Sequence, residues 1–428
     1  MAKPPKLQAV RGMQDLIGEE AARFERVVDA FREVGRRFGF RPVVVPVVEF
    51  TSVFARTLGE TTDVVAKEMY SFEDRGGESL TLRPEFTAGI ARAFISEGWQ
   101  QHVPLKLMTH GPLFRYERPQ KGRYRQFHQV DAEVIGAAEP LADVELIAFA
   151  DLLLKELGIA EGVALQLNTL GDAETREAWR AALVRHFAAH CDALSEDSKR
   201  RLETNPLRIL DSKDPADRAL VADAPPIDAF LSSAAGAFFE GVEKGLAASG
   251  VTFIRNPRLV RGFDYYRHTA FEFVTDRLGA QGTVIGGGRY DGLIEAMGGP
   301  STPAVGWAGG IERLAGLIEA PAMESPLVAV IPEVAEAEVE AIRIAQHLRA
   351  NGLTVSNGYR GNARKRAEQA AKEGAQAILY VRDARRGPES LHLVDRLKDS
   401  GARPRRLAVL SALPDDYRAL ALAGEGVA

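Results

Sequence analysis

A single cysteine, Cys191, stands in a chain of 428 residues. That excludes an internal disulfide and a cysteine-rich zinc site, and it fits a reducing compartment. A buried spectator thiol is the expected state of Cys191. Nowhere do about 18 consecutive apolar residues occur, as a membrane span requires, and the opening Met1 to Asp15 holds no apolar core of a secretory leader. The chain is therefore expected to stay in the cytosol, without a membrane partner. An excess of either charge is also lacking: 54 basic against 59 acidic side chains give a net charge of -5. Any nucleic-acid contact must then come from local basic clusters. No G-x-x-x-x-G-K-[ST] phosphate loop occurs, which excludes a Walker-type site and leaves nucleotide binding to arginines. His110 and His128 have no metal-ligand spacing between them and read as satisfied structural histidines. No triad of nucleophile, base and orienter stands out.

What is present is a chain with 46% apolar residues, long enough for two or three domains. Phe24, Val27, Val28, Phe31 and Phe38 recur at helical spacing, with Gly39 as the expected C-terminal cap. Pro42 to Pro46 follows as an edge strand, because β-branched residues favour extension and prolines forbid a central position. Further strands are expected at Ser79 to Leu82, Leu105 to Thr109, Gln126 to Ile135, Phe271 to Val274 and Gln281 to Ile285. Several are joined without an intervening helix, so the fold class is α+β, a largely antiparallel sheet with flanking helices. Between about Asp172 and Gly250 the text turns helical, with Trp179, Leu183 and Phe187 one turn apart, and reads as an insertion. The small-residue segment Ala320 to Pro326 reads as a linker, dividing a first domain over residues 1–322 from a second over 326–428. In that second part strand Leu327 to Ile331, a helix with Ala341, Ile344, Ala345 and Leu348 on one face, strand Leu353 to Ser356, a basic helix from Asn362 to Glu373 and strand Ala377 to Val381 predict a small α/β layer with parallel pairing.

Five segments are equipped for chemistry. Phe114 to Gln129 reads as two strands flanking a loop loaded with cations. Arg115 and Glu117, two apart, would share a strand face, where a guanidinium can hold phosphate and a carboxylate can accept an amino group. Lys121, Arg123 and Arg125 can meet a polyanion. Alone, such a hairpin is usually a solvated edge. Thr81 to Thr87 adds a carboxylate and a hydroxyl, Glu85 and Thr87, suited to an ammonium group. Arg261 to Tyr266 and Gly286 to Asp291 add a further cluster and glycine backbone that can approach a ligand. Gly306 to Leu314 reads as a small-residue strand entering a helix that carries Arg313, by itself an ordinary surface salt-bridge partner.

In this order, the segments resemble histidyl-tRNA synthetases along nearly the whole chain. The helix with its Pro46 strand looks like class II motif 1, Phe114 to Glu117 with its loop like motif 2, and Gly306 to Arg313 like motif 3. Leu259 to Tyr266 and Gly286 to Asp291 look like the two stretches peculiar to the histidine enzyme. The resemblance implies a catalytic domain followed by an anticodon-binding domain, activation of L-histidine by ATP with Mg2+ on its phosphates, transfer to tRNA(His), no bound organic cofactor, and a homodimer formed through motif 1. It implies that Arg115 and Arg261 flank the α-phosphate, that Glu117 reads the adenine amino group, and that Phe127 and Arg313 sandwich the purine. Glu85, Thr87 and Gln129 would hold the α-amino group, and Glu133, Tyr265 and Tyr266 would line the imidazole site. Two fixed guanidiniums can stabilise the charge that builds when a carboxylate attacks the α-phosphate, with no covalent enzyme intermediate. Gln120, Lys121 and Arg123, with Arg364 and Lys365 on the basic helix beside Arg360 and Arg366, would meet tRNA phosphates. Phe86 departs from the family, which has glycine there. The alternative reading is the synthetase-like regulatory subunit of ATP phosphoribosyltransferase, a non-enzyme sharing the fold; intact Arg115, Glu117, Arg261 and Arg313 argue against it.

Overall fold

A computed structural model describes residues 7–58, 64–120, 122–212, 214–260, 265–279, 282–321, 327–382, 391–395 and 412–414. The expected catalytic Arg261, the loop cation Lys121, and most of the linker fall outside these residues. The contacts divide the chain into two compact units, Met1–Pro321 and Ala322–Ala428.

The first unit opens with helix α1 (Glu19–Arg37), edge strand β1 (Arg41–Pro42), β2 (Val48–Phe50), α2 (Thr51–Leu58), β3 (Tyr70–Glu73), β4 (Ser79–Leu82) and α3 (Thr87–Ser96). Strand β5 (Leu105–Phe114) and β6 (Gln126–Ile135) then form a long hairpin, followed by α4 (Pro140–Glu156) and β7 (Ala164–Thr169). After a helical stretch come β8 (Ile254–Arg255), β9 (Arg267–Val274) and β10 (Thr283–Arg289). That stretch comprises α5 (Ala173–Ala188), α6 (Glu196–Thr204), α7 (Arg218–Ala222) and α8 (Ser233–Ala248). The unit closes with α9 (Leu293–Ala296), β11 (Ala304–Gly310) and α10 (Ile311–Ala315).

Eight strands make the main sheet in the order β1-β5-β6-β11-β10-β9-β7-β8. All its pairs are antiparallel except β1 with β5 and β7 with β8 at the two edges. Strands β2, β4 and β3 form a small side sheet.

Helix α1 exists because its apolar residues fall on one stripe: Val27, Val28, Phe31 and Val34 are all buried. Acidic Glu19 and Glu20 open it and basic Arg36 and Arg37 close it, each favourable with the helix dipole. Gly39, at φ 75°, ends it, and the Phe40 N–H returns to the Gly35 carbonyl at 2.9 Å. The buried stripe packs on the sheet, where Phe31 stacks on Phe149 of α4 at 5.6 Å and meets Trp307 of β11 at 5.8 Å. Burying each such ring stabilises the fold by roughly 2–3 kcal/mol. In the helical stretch, Asp172 caps α5 by accepting from the Thr175 N–H at 2.9 Å, and Trp179, Leu183 and Phe187 are buried.

The second unit holds β12 (Leu327–Pro332), α11 (Glu338–Ala350), β13 (Thr354–Asn357), α12 (Ala363–Lys372), β14 (Ala377–Val381) and β15 (Leu391–Asp395). Its sheet runs β13-β12-β14-β15, parallel except for the last pair. Asn362 caps α12 by accepting from the Lys365 N–H at 3.0 Å.

Three local expectations fail. Of the Pro42 to Pro46 segment only Pro42 lies in a strand, and Val44 is 92% exposed. The Val43 N–H still reaches the Met108 carbonyl at 2.9 Å, but Pro42 and Pro46 have no N–H to extend the ladder. Cys191 is exposed, because it opens a short turn after α5 rather than lying on its apolar stripe. Arg115 and Glu117 are not on a strand, since β5 ends at Phe114 and the Glu117 N–H folds back onto the Arg115 carbonyl at 2.8 Å.

Candidate active site

Alternation along β6 builds the site. Val130, Ala132 and Val134 enter the core under α1 and α4, so Gln129, Asp131 and Glu133 occupy the opposite face. On that face the neighbouring strand β11 supplies Gly306 beside Glu133, Ala308 beside Asp131 and Gly310 beside Gln129. A Cβ on Gly306 would collide with the Glu133 carboxylate, so the glycine is what lets that acid lie flat on the sheet. Gly287 and Gly288 are likewise demanded by protein neighbours. A Cβ on Gly288 would meet the Thr269 carbonyl at 2.5 Å and the Tyr266 ring at 2.9 Å, and one on Gly287 would meet the Phe271 ring at 2.8 Å. For these two the expected close approach to a ligand is replaced by close approach of strands and rings.

Glu133 is 1% exposed and holds two hydroxyls. Thr87 donates to its Oε1 at 2.7 Å, and Tyr290 donates to its Oε2. Glu85, also buried, accepts the Ala88 N–H at 2.7 Å at the start of α3. Burial pushes the Glu133 carboxyl up to about 8. The same desolvation raises Glu85, and it raises Asp131 with the neighbouring Glu133 and Glu85 charges adding to it. Tyr265 and Tyr266 lie 4.6 Å apart, and Tyr265 meets Tyr290 edge to face at 5.7 Å. Of the residues expected to hold an amino acid, Glu85, Thr87, Glu133, Tyr265 and Tyr266 are thus brought to one place, with Gln129 on the same sheet face.

Arg115 continues the site. Its Nε donates to the Pro84 carbonyl at 2.9 Å, its guanidinium lies over the Phe127 ring at 5.2 Å, and its charge reaches Glu85. Glu117 pairs with Arg123 at 2.5 Å. Arg313 donates to the Thr283 carbonyl at 2.8 Å and, across the loop, to the Gly122 carbonyl at 3.2 Å. Burial, then the nearby Arg123, lowers the Arg313 pKa, and Arg115 adds to that repulsion. Arg313 is therefore a half-buried member of the site rather than a surface ion-pair partner. It borders a cavity of about 520 Å³ lined also by Phe24, Tyr124, Arg277 and Glu312. His128 gives its backbone N–H to Glu312 at 3.0 Å, and its Nδ1 lies 2.8 Å from the same carboxylate. His110 contacts Arg32 at 2.9 Å.

The expected polyanion contacts divide between the two units. Gln120 and Arg123 close the motif 2 loop through a backbone pair, and Arg123 is exposed. In the second unit Arg364 is exposed and pairs with Glu368 at 3.0 Å, Lys365 and Arg360 are exposed, and Arg366 is drawn to the Gly361 carbonyl and to Glu338. Phe86 is 1% exposed in the apolar core, with the Arg83 guanidinium 4.5 Å over its ring.

Sequence reasoning passed over Asp131 and Tyr290 as site residues. The signal for Asp131 was available, since it lies midway between Gln129 and Glu133 at strand spacing. Tyr290 lay inside the singled-out stretch Gly286 to Asp291, but no local pattern ties it to Glu133, 157 positions away. No group of three or more His, Cys, Asp or Glu among the described residues is arranged to hold a metal ion, and no described helix is long and apolar enough to cross a membrane.

Comparison with known proteins adds the following. The family model described as "Histidyl-tRNA synthetase" matches residues 12–314. The histidine--tRNA ligase of Novosphingobium aromaticivorans is 63% identical over 378 residues, covering 87% of this chain and 90% of that protein. That of Gluconacetobacter diazotrophicus is 60% identical, covering 88% and 91%. Among solved structures, apo histidyl-tRNA synthetase of S. aureus superposes with a TM-score of 0.73 at 30% identity, covering 91% of this chain and 97% of that one. A Bacillus halodurans structure titled as an ATP phosphoribosyltransferase regulatory subunit/histidyl-tRNA synthetase matches with a TM-score of 0.62 at 22% identity, covering 89% and 100%, a likeness of fold alone.

Proposed function

The chain belongs to the histidyl-tRNA synthetase family, and from that premise we propose how its side chains divide the reaction. The enzyme is a ligase that activates L-histidine with ATP, giving histidyl-adenylate and pyrophosphate, and transfers the histidine to the 3' end of tRNA(His). Its likeness to a regulatory subunit of ATP phosphoribosyltransferase is one of fold alone, and fold does not fix function.

The observation that carries the division of labour is the continuity of side chains from Glu133 through Thr87 and Glu85 to Arg115 and Phe127. Histidine lies at the buried acidic end. Glu85, Thr87 and Gln129 take its ammonium group, while Glu133, Tyr265 and Tyr266 take its ring. An imidazole brings one N–H and one bare nitrogen, so a buried carboxyl and a phenol select it by being left unpaired with other side chains. ATP lies at the cationic end. Arg115, with Arg261 opposite, stabilises charge at the α-phosphate, Phe127 and Arg313 hold the purine, and Glu117 reads its amino group after leaving Arg123. Positioning replaces a protein nucleophile. Mg2+ arrives on the ATP phosphates, whose oxygens suit it.

Transfer RNA meets Gln120, Lys121 and Arg123 on the motif 2 loop, and Arg364 and Lys365 on α12 of an anticodon-binding unit. A homodimer forms through motif 1, where Val44 and Phe50 stand exposed. The enzyme works in the cytoplasm. The test is histidine-dependent exchange of pyrophosphate into ATP by the folded protein, followed by charging of tRNA(His). Absence of exchange overturns the reading.

A further inference from the structure

Asp131 is buried at 1% exposure on the site face of β6, and its Oδ1 has no hydrogen-bond donor among the described residues. A carboxylate oxygen left unpaired in a protein interior weakens the fold, so its retention calls for a partner that arrives later. Every other acid beside it already has one. Glu133 receives the Thr87 and Tyr290 hydroxyls, and Glu85 receives the Ala88 N–H.

We propose that Asp131 is a specificity-determining residue of the amino-acid pocket, its unpaired Oδ1 accepting the ring N–H of bound histidine beside Glu133. The inference rests on the reading of this pocket as the histidine site. Asp131 stands between Gln129 and Glu133 on one face, two residues from each, and its register partners Thr109 and Ala308 bring it no charge. The titratable groups facing it are Glu133, Glu85 and Tyr290, with Arg115 acting on Glu85. Burial pushes both the Asp131 and the Glu133 carboxyls upward, and the charge of Glu133 adds to the shift of Asp131. Two neighbouring buried carboxyls resist carrying two charges, so the pair keeps a proton and offers both an acid hydrogen and bare oxygens to a ligand. An imidazole presents the complement, a bare nitrogen and an N–H.

The experiment measures histidine-dependent pyrophosphate exchange, with histidine and its ring-N-methylated derivatives as competing substrates. Wild-type protein is measured first, because its failure to exchange would overturn the functional reading itself, independently of Asp131. Asp131→Ala is expected to raise the KM for histidine at least fivefold with the KM for ATP unchanged, and to lower discrimination against a ring N-methyl group to a similar degree. Asp131→Asn, whose amide oxygen can still accept the N–H, recovers part of that loss. The thermal midpoint of unliganded Asp131→Ala stays at or above wild type, since an unpaired buried carboxyl has been removed. If Asp131→Ala does not fold, Asp131→Val supplies a strand former without an acceptor. A histidine KM raised less than fivefold, with discrimination against the methylated ring intact, overturns the proposal.

Discussion

Thr87 donates its hydroxyl to Glu133 Oε1 at 2.7 Å, tying the first residue of α3 to the C-terminal part of β6. The hydroxyl belongs to the expected ammonium site and the carboxylate to the expected ring site, so the two halves of the proposed amino-acid pocket are one hydrogen-bonded unit.

Removing the acid from that unit is expected to be selective. Glu133→Ala should raise the histidine KM by roughly 10- to 100-fold, the worth of a buried hydrogen bond to a charged or strongly polar group. The KM for ATP should stay within about a factor of two, because its binding groups lie elsewhere. Steady-state exchange kinetics decide this, and equal losses for both substrates would mean general disruption.

The arginines should behave differently. Arg115→Ala and Arg261→Ala are each expected to lower the rate of adenylate formation by roughly 10²- to 10³-fold, as loss of one preorganised charge donor does. Histidine affinity should change far less. Single-turnover adenylation with equilibrium histidine binding separates the effects, and an unchanged turnover number in either variant refutes its role.

Acidity in the pocket sets a pH dependence. Glu133 titrates at about 8 in the fold against an ordinary 4.5, so the folded state binds a proton that the unfolded state has released. Its contribution to stability is whole below the unfolded value, declines as pH rises from about 4.5, and is lost once pH has passed about 8. Glu85 and Asp131 are raised as well and act with the same sign. The thermal midpoint of the unliganded protein should therefore fall as pH rises through neutrality to about 8, and less steeply in Glu133→Gln. A profile that rises over that window would contradict the assignment.

Stability also hangs on Arg289, which is fully buried against the equally buried Asp143 and bonds Asp291 at 3.0 Å. Arg289→Ala should cost about 3–5 kcal/mol, because it strands a buried carboxylate. Replacing the pair together, as Arg289→Met with Asp143→Leu, should cost much less. Chemical denaturation of the single and double variants measures the difference, and equal losses would show that the arginine acts through Asp291 and the loop carbonyls instead.

How far the sequence could be read depended on the range of the interaction. Helix α1 and the β5–β6 hairpin follow from local rules, the 3.6- and 2-residue repeats of apolar side chains, and both were legible. The Ser79–Leu82 and Gln126–Ile135 boundaries coincide with the expected ones for that reason. The Pro42 to Pro46 segment misled because β-branched residues favour extension, yet pairing needs N–H groups that proline lacks. Arg115 and Glu117 misled because a strand was carried three residues too far, past the point where the loop takes over.

The sequence by itself determined the family, the antiparallel sheet and the identities of the charged groups, because those reside in residue type, order and periodicity. Only the tertiary structure decided that Tyr290 serves Glu133, that Gly306 yields space to that acid, that Arg313 is half-buried beside the motif 2 loop, and that Asp131 keeps an oxygen without a donor. Partners separated by more than a hundred residues leave no mark in local pattern. Whether a buried polar atom is satisfied depends on every element packed around it.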